Sequence, residues 1–209
     1  MCNKIIVNSK FFFLTFFIFL PCIFLSKTVI SDVSKKSAIM HAENWINGIQ
    51  TLKANFLQTT SHGKVARGQI YIMKPGLMLI DYAPPTKIKI YANQHWIIYV
   101  DHELKEVNQI PISGTPAHLL LKKVVRLADE ANIMLQEDKN SFRFLLTRKD
   151  DPDEGLINLI FSKEPWQLRG WTVIDQQGIK TSFSLLAAQI NQPINKKELQ
   201  YYAPDWAFE

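Results

Sequence analysis

Between residues 52 and 190 the apolar residues come in short runs, and nearly every run ends at a turn-forming pair or triplet. In the first half the breaks fall at His62-Gly63, Pro75-Gly76, Pro84-Pro85 and Asn93-Gln94. In the second they fall at Asp138-Lys139-Asn140, Asp153-Glu154-Gly155 and Gln176-Gln177-Gly178. Runs of this length with such punctuation read as strands joined by hairpin-length links. The pattern places strands near 52–60, 64–73, 77–83, 87–92, 95–101 and 106–111, then near 132–137, 141–149, 156–162, 168–175 and 180–190. A last short strand is expected at 198–202. A parallel arrangement would need a crossover of about a dozen residues after each strand, and the links are too short. The expected fold is therefore mainly β: one large, curved antiparallel sheet of about eleven strands.

Two segments carry the helical period instead. Ala38, Ile39, Ala42, Trp45, Ile46 and Ile49 recur at offsets of three and four, with Lys36, Glu43, Asn44 and Asn47 on the other face. Thr115-Pro116 opens a second helix, with proline at the first helical position, expected to reach about Leu127.

Strand side chains alternate between faces. Gly68, Ile70, Ile72 and Lys74 share one face, and Met78, Ile80 and Tyr82 join them if the Pro75-Gly76 turn keeps parity. Ile88 and Ile90 alternate with Lys87 and Lys89, and Ile157, Leu159 and Phe161 form a further apolar row. One side of the sheet is thus heavily apolar and needs cover, which two helices supply only in part. A filled core and a hollow both fit these residues.

Upstream of all this, residues 11–25 are almost wholly apolar and follow Lys4 and Lys10. A basic start and an apolar run of about 15 residues match a secretory signal, and a spanning helix wants about 20. Residues 1–30 are expected to be a cleaved export signal, cut between 26 and 34, and 31–209 a single domain. Both cysteines, Cys2 and Cys22, lie in that leader. The remainder then has no disulfide, thiolate nucleophile or cysteine-bound metal. The net charge of +5 is interspersed, with no like-charge block that would point to nucleic acid. None of the five histidines has ligand spacing, and no nucleophile elbow or phosphate loop is present. The chain is expected to be no enzyme, to hold no metal or cofactor, and to bind no nucleic acid.

Several phrases resemble those of one known family. Ala54-Asn55-Phe56-Leu57-Gln58 is similar to its F-x-Q strand. Arg67-Gly68-Gln69-Ile70-Tyr71-Ile72-Met73-Lys74-Pro75-Gly76 resembles its glycine, alternating strand, basic residue and proline. Tyr82-Ala83-Pro84-Pro85, Trp96-Ile97-Ile98-Tyr99-Val100-Asp101 and Thr115-Pro116 with Leu119-Leu120-Leu121 follow in the family's order. So do Leu168-Arg169-Gly170-Trp171-Thr172-Val173-Ile174-Asp175-Gln176-Gln177-Gly178 and Leu199-Gln200-Tyr201-Tyr202-Ala203-Pro204. The family is that of the periplasmic outer-membrane lipoprotein carrier, LolA.

The resemblance implies an unclosed antiparallel β-barrel with a helical lid over an apolar cavity, working in the periplasm of a Gram-negative bacterium. The implied cargo is acylated lipoproteins, taken from an inner-membrane ABC transporter and delivered to the outer membrane, where a receptor is a further implied partner. A monomer is expected. The cavity residues would be Ile70, Ile72, Met78, Ile80, Tyr82, Ile88, Ile90, Trp96, Leu159 and Phe161. Trp45, Ile46, Ile49, Leu119 and Leu120 would line the lid, and Lys74 would latch it in place of the family's usual arginine. A lipoprotein- or lipid-sensing module of the same half-barrel that does not shuttle is the alternative.

Overall fold

The computed structural model describes residues 32–208 except 114, 151, 153 and 154; the leader expected at 1–30 lies outside them. A helix, α1 (Asp32–Gly48), precedes six strands: β1 (Thr51–Thr60), β2 (Val65–Met73), β3 (Leu77–Tyr82), β4 (Ile88–Ala92), β5 (Trp96–Asp101) and β6 (Glu106–Pro111). Two short helices, α2 (Pro116–Leu121) and α3 (Leu127–Glu130), lead into β7 (Ala131–Glu137), β8 (Ser141–Arg148), β9 (Gly155–Lys163), β10 (Trp166–Asp175) and β11 (Lys180–Ile190). All eleven strands form one antiparallel sheet in the order β6-β5-β4-β3-β2-β1-β11-β10-β9-β8-β7. It is two meanders joined where β1 pairs with β11.

This order dictates the lid. β6 and β7 are the two opposite edges and do not pair, so the sheet stays open. Consecutive in sequence, they are joined by residues 112–130, which must cross from one edge to the other. That connection contains α2 and α3, and α1 enters just before the central strand β1. Apolar residues of all three helices reach the same core as the concave face: Ala38, Ala42, Ile46 and Ile49 from α1 and its end, Leu119, Leu120 and Leu121 from α2, Leu127 from α3. The alanines one turn apart let α1 lie close to the strands.

Two expectations need correction here. The second helix ends at Leu121, because Lys122 is extended (ψ 144°) and the backbone of Val125 is bonded elsewhere. The strand expected at 198–202 is instead a 3-10 turn at Lys196–Leu199, with Asn195 accepting from the Lys197 amide. This segment lies against the back of β2 and β3, where no sheet edge exists to pair with. It buries Leu199 beside Ile98 and Tyr91 on the convex side. Leu79, Ile98, Val100 and Leu199 are buried but stand apart from the main core, as a second small cluster.

Gly68 has a steric reason. A Cβ there would sit 2.1 Å from the Asp81 carbonyl oxygen and 2.8 Å from the Phe56 ring. The ring of Phe56 in turn meets Tyr82 edge-on at 5.2 Å. Gly68→Ala must push β3 away or displace Phe56, and overpacking of this kind costs about 3 kcal/mol. Urea unfolding should show that loss; an unchanged midpoint would mean the strands have slack the geometry does not show.

Candidate functional site

The site is the space between the concave face and the lid. Ile70, Ile72, Met78, Ile80, Leu159 and Phe161 are buried in its wall. Tyr82 and Ile90 are half-buried against the same core, and Ile88 lies in the same row on β4. Cross-strand registers put them on one face: Ile72 opposite Met78, Ile70 opposite Ile80, Ile80 opposite Ile90 and Leu159 opposite Trp171. Tyr82 adds a hydroxyl that donates to Gln58 Oε1. Burial first, and then Tyr99, push its pKa up to about 12, so it stays neutral.

Trp96 does not belong to this wall. Ala92 pairs with Ile97, so Ile97 faces inward, and Trp96, its neighbour on β5, points to the convex side with 43% of its surface exposed. Period-2 alternation decides this.

The lid side chains meet the wall directly. Ile46, Ile49, Leu119 and Leu120 are buried, and Trp45 lies edge-on to Phe161 at 5.5 Å. Phe161 also contacts Phe144 at 5.6 Å and stacks on Trp166 at 5.9 Å. Between Trp45, Ile46, Ile49, Leu120 and the wall residues Leu52, Ile72, Leu168, Trp171 and Leu185, a void of only about 10 Å³ remains. A water needs at least that much. Here the protein's own side chains fill the space between lid and wall, and the wall residues Ile70, Leu159 and Phe161 are fully buried.

Polar contacts fasten the lid at several places. At the β2–β3 turn, Lys74 Nζ donates to the Ile46 carbonyl of the last turn of α1 at 3.0 Å, and the Gly76 amide donates to Leu121 O at the end of α2, also at 3.0 Å. Gly76 has φ +81°, which glycine adopts without strain. One turn thus holds the C-terminal carbonyls of both helices. Burial lowers the pKa of Lys74 from its ordinary 10.5.

The second place joins the lid pieces to each other. Asn47 donates to Val125 O at 2.9 Å and accepts from Val125 N at 2.8 Å; Glu43 Oε1 accepts from Leu127 N at 2.6 Å. The sequence places Glu43 and Asn47 on the face opposite the apolar stripe and assigns them no role. Their i, i+4 spacing beside the apolar stripe was the available signal. Asn191, with φ 57°, ties α1 to the end of β11: its Nδ2 donates to Gly48 O at 3.0 Å and its Oδ1 accepts from Gln50 N at 2.7 Å.

Among the described residues no group of three or more His, Cys, Asp or Glu side chains converges as metal ligands would. Asp101 shapes the β5–β6 turn by accepting from the Glu103 and Leu104 amides. No helix among the described residues is long and apolar enough to cross a membrane.

The profile of the family described as "Outer membrane lipoprotein carrier protein LolA" matches residues 47–201. An outer-membrane lipoprotein carrier protein of Pseudomonas paraeruginosa is 23% identical over 186 residues, covering 85% of this chain and 89% of that one. One from Neisseria meningitidis is 24% identical over 188 residues, covering 86% and 89%. Among solved structures, an uncharacterized conserved protein from Thermus thermophilus superposes with a TM-score of 0.53 at 8% identity, covering 82% of this chain and 96% of that one. That last likeness is one of fold alone.

Proposed function

This chain belongs to the outer membrane lipoprotein carrier protein family, and we propose that it shields the acyl chains of lipoproteins and carries them across the periplasm from the inner to the outer membrane. The observation that carries the reading is the apolar interior between sheet and lid, whose lid is held to the sheet by a few polar contacts, chiefly at the β2–β3 turn and at Asn191.

The physical need is large. A triacylated protein exposes roughly 45 methylenes at about 0.8 kcal/mol each, on the order of 35 kcal/mol. Free diffusion through water is negligible at that cost. A carrier must cover the chains and still release them without a nucleotide of its own. An interior that closes on itself when empty meets both demands, since reclosing drives the cargo out. In this reading Ile70, Ile72, Met78, Ile80, Tyr82, Ile88, Ile90, Leu159 and Phe161 form the acyl wall, Trp45, Ile46, Ile49, Leu119 and Leu120 the movable cover, and Lys74 the latch. The role is binding and transfer, not catalysis. The partners are an inner-membrane lipoprotein-releasing ABC transporter and, on delivery, an outer-membrane receptor. The protein would be processed between residues 26 and 34 and work as a soluble monomer.

The test is release of newly made lipoprotein from spheroplasts. Added protein should bring lipoprotein into the supernatant as a one-to-one complex, and outer-membrane vesicles should then take it up. Binding without delivery, or recovery of residues 1–25 intact in the membrane fraction, would replace the shuttle with a sensing module.

A further inference from the structure

A second cavity lies at the margin of the lid, outside the filled interior. It measures about 220 Å³ and is built where α2 passes over β7, β8 and β9. Its apolar side is made by Leu119, Ala131, Leu146 and Ile157. Leu146 and Ile157 are paired on the concave face, in the register that carries Phe144 and Leu159 one step further along. The cavity is therefore an outward continuation of the same apolar wall. Only α2 separates it from the filled interior, since Leu119 lines the one and the adjacent Leu120 the other.

The rim is polar, and its charges are balanced. Glu130 is held by Lys122 at 2.5 Å, and Asp150 accepts from Arg148 Nε at 3.1 Å. His118 and the residues Ser113, Thr115 and Thr147 complete it. Burial first, and then Lys122, lower the pKa of His118 from 6.5, with Glu130 acting the other way, so the imidazole is neutral at pH 7. Thr115 Oγ1 is committed to Ile112 O and the His118 amide, so the rim offers the hydroxyls of Ser113 and Thr147 and the His118 imidazole, without a spare cation.

The geometry points to this cavity as the seat of an uncharged glyceryl-ester or acyl-amide head, at the place where an acyl chain enters beneath α2. A head bearing a phosphate fits badly. Both rim cations are already engaged by carboxylates, and Glu130 and Asp150 would face the phosphate as like charges. The inference rests on the acyl-carrying reading and adds to it a selection by head group. Two sources share this chemistry: the lipidated N-terminus of a protein and a free glyceride.

Displacement of a fluorescent fatty acyl probe from the mature protein tests it, with competitors that carry the same chain below their micellar concentrations. Monopalmitoylglycerol should compete at least about tenfold better than palmitoyl lysophosphatidate. Glu130→Lys turns the rim cationic and should abolish or invert that preference. Glu130→Gln, which keeps the shape, should narrow it by about threefold and guards against a misfolded reversal. A tripalmitoylated cysteinyl peptide should follow the glyceride in its sensitivity to both variants. Equal competition by the two palmitoyl lipids, or a preference that neither variant moves, would overturn the assignment. A glyceride that responds while the lipopeptide does not would overturn it for lipoproteins. Failure of every competitor and of the probe to bind would sink the acyl-carrying reading itself, and the pocket with it.

Discussion

Phe161→Ala should lower the melting temperature by roughly 10 °C, and a bound acyl chain should stabilise this variant more than it stabilises the unaltered protein. Phe161 is fully buried and is touched by the lid through Trp45 and by the sheet through Phe144 and Trp166. Loss of such a ring costs about 3–5 kcal/mol, because the surroundings collapse only partly. For a domain of this size each kcal/mol shifts the midpoint by about 2–4 °C. The space left behind is apolar and stays dry, and such a cavity accepts an apolar ligand. In the unaltered protein an acyl chain must first displace lid side chains from a space of about 10 Å³. The apparent affinity is reduced by that reorganisation. The variant has part of the room already made. Thermal melts with and without a saturating palmitoyl lipopeptide measure the difference. An increment that is equal in the two proteins, or absent from both, would make the interior an ordinary core.

The sheet was legible because turn residues punctuate it: each hairpin from β1 to β5 turns on a Gly, Pro or Asn signal, and only the β5–β6 turn at 102–105 lacks one. The strand count followed, and so did the apolar face. What escaped depended on residues distant in the chain. The second helix continues by pattern to Leu127, yet stops at Leu121 because Asn47, 78 residues upstream, takes both backbone groups of Val125. No local window contains that competition. The convex cluster was missed for a related reason. Met78-Leu79-Ile80 is continuously apolar, which in a strand signals cover on both faces, but its outer cover comes from Leu199, far along the chain. Trp96 was a different failure. Its parity could be counted from Ile97 and Ala92 once their pairing was known, and sequence alone does not give a pairing.

Filled interior and fastened lid are two parts of one equilibrium. In the closed state about a dozen side chains satisfy one another in place of cargo, so an acyl chain is favoured only by the difference between its contacts and theirs. Affinity is thereby held down without any loss of apolar lining. The polar fasteners then set where the balance lies: Asn47 and Glu43 keep α1 and the 125–127 segment together, so the lid pieces open jointly, while the β2–β3 turn holds the ends of α1 and α2, and Asn191 the end of α1, to the sheet.

Lys74→Leu should therefore leave loading intact while slowing release about tenfold. The ammonium donates to Ile46 O at 3.0 Å and sits half-buried. A hydrogen bond to a charged group contributes about 1.5–3 kcal/mol when well shielded. Partial exposure, and the desolvation of the ammonium that lowers its pKa, bring this to the lower figure, and about 1.4 kcal/mol is a factor of ten in an equilibrium. Leucine removes the bond from the closed state only, so the open, loaded state gains relative weight and the drive to reclose falls. Lys74→Arg should act in the opposite sense, because its planar fork presents more donors to the same carbonyl region. The pH dependence supplies a control with a definite sign. Burial lowers the pKa of Lys74 below 10.5 in the closed state, whereas an opened lid returns it to that ordinary value. The closed state thus binds fewer protons, and raising the pH through the interval between the two values favours closing. Release should quicken with pH across that interval, and the leucine variant should show no such rise. Stopped-flow transfer of a fluorescent lipopeptide to vesicles reads both effects. Release by Lys74→Leu at the unaltered rate, or the same pH profile in both proteins, would reduce Lys74 to a solubilising charge at the rim.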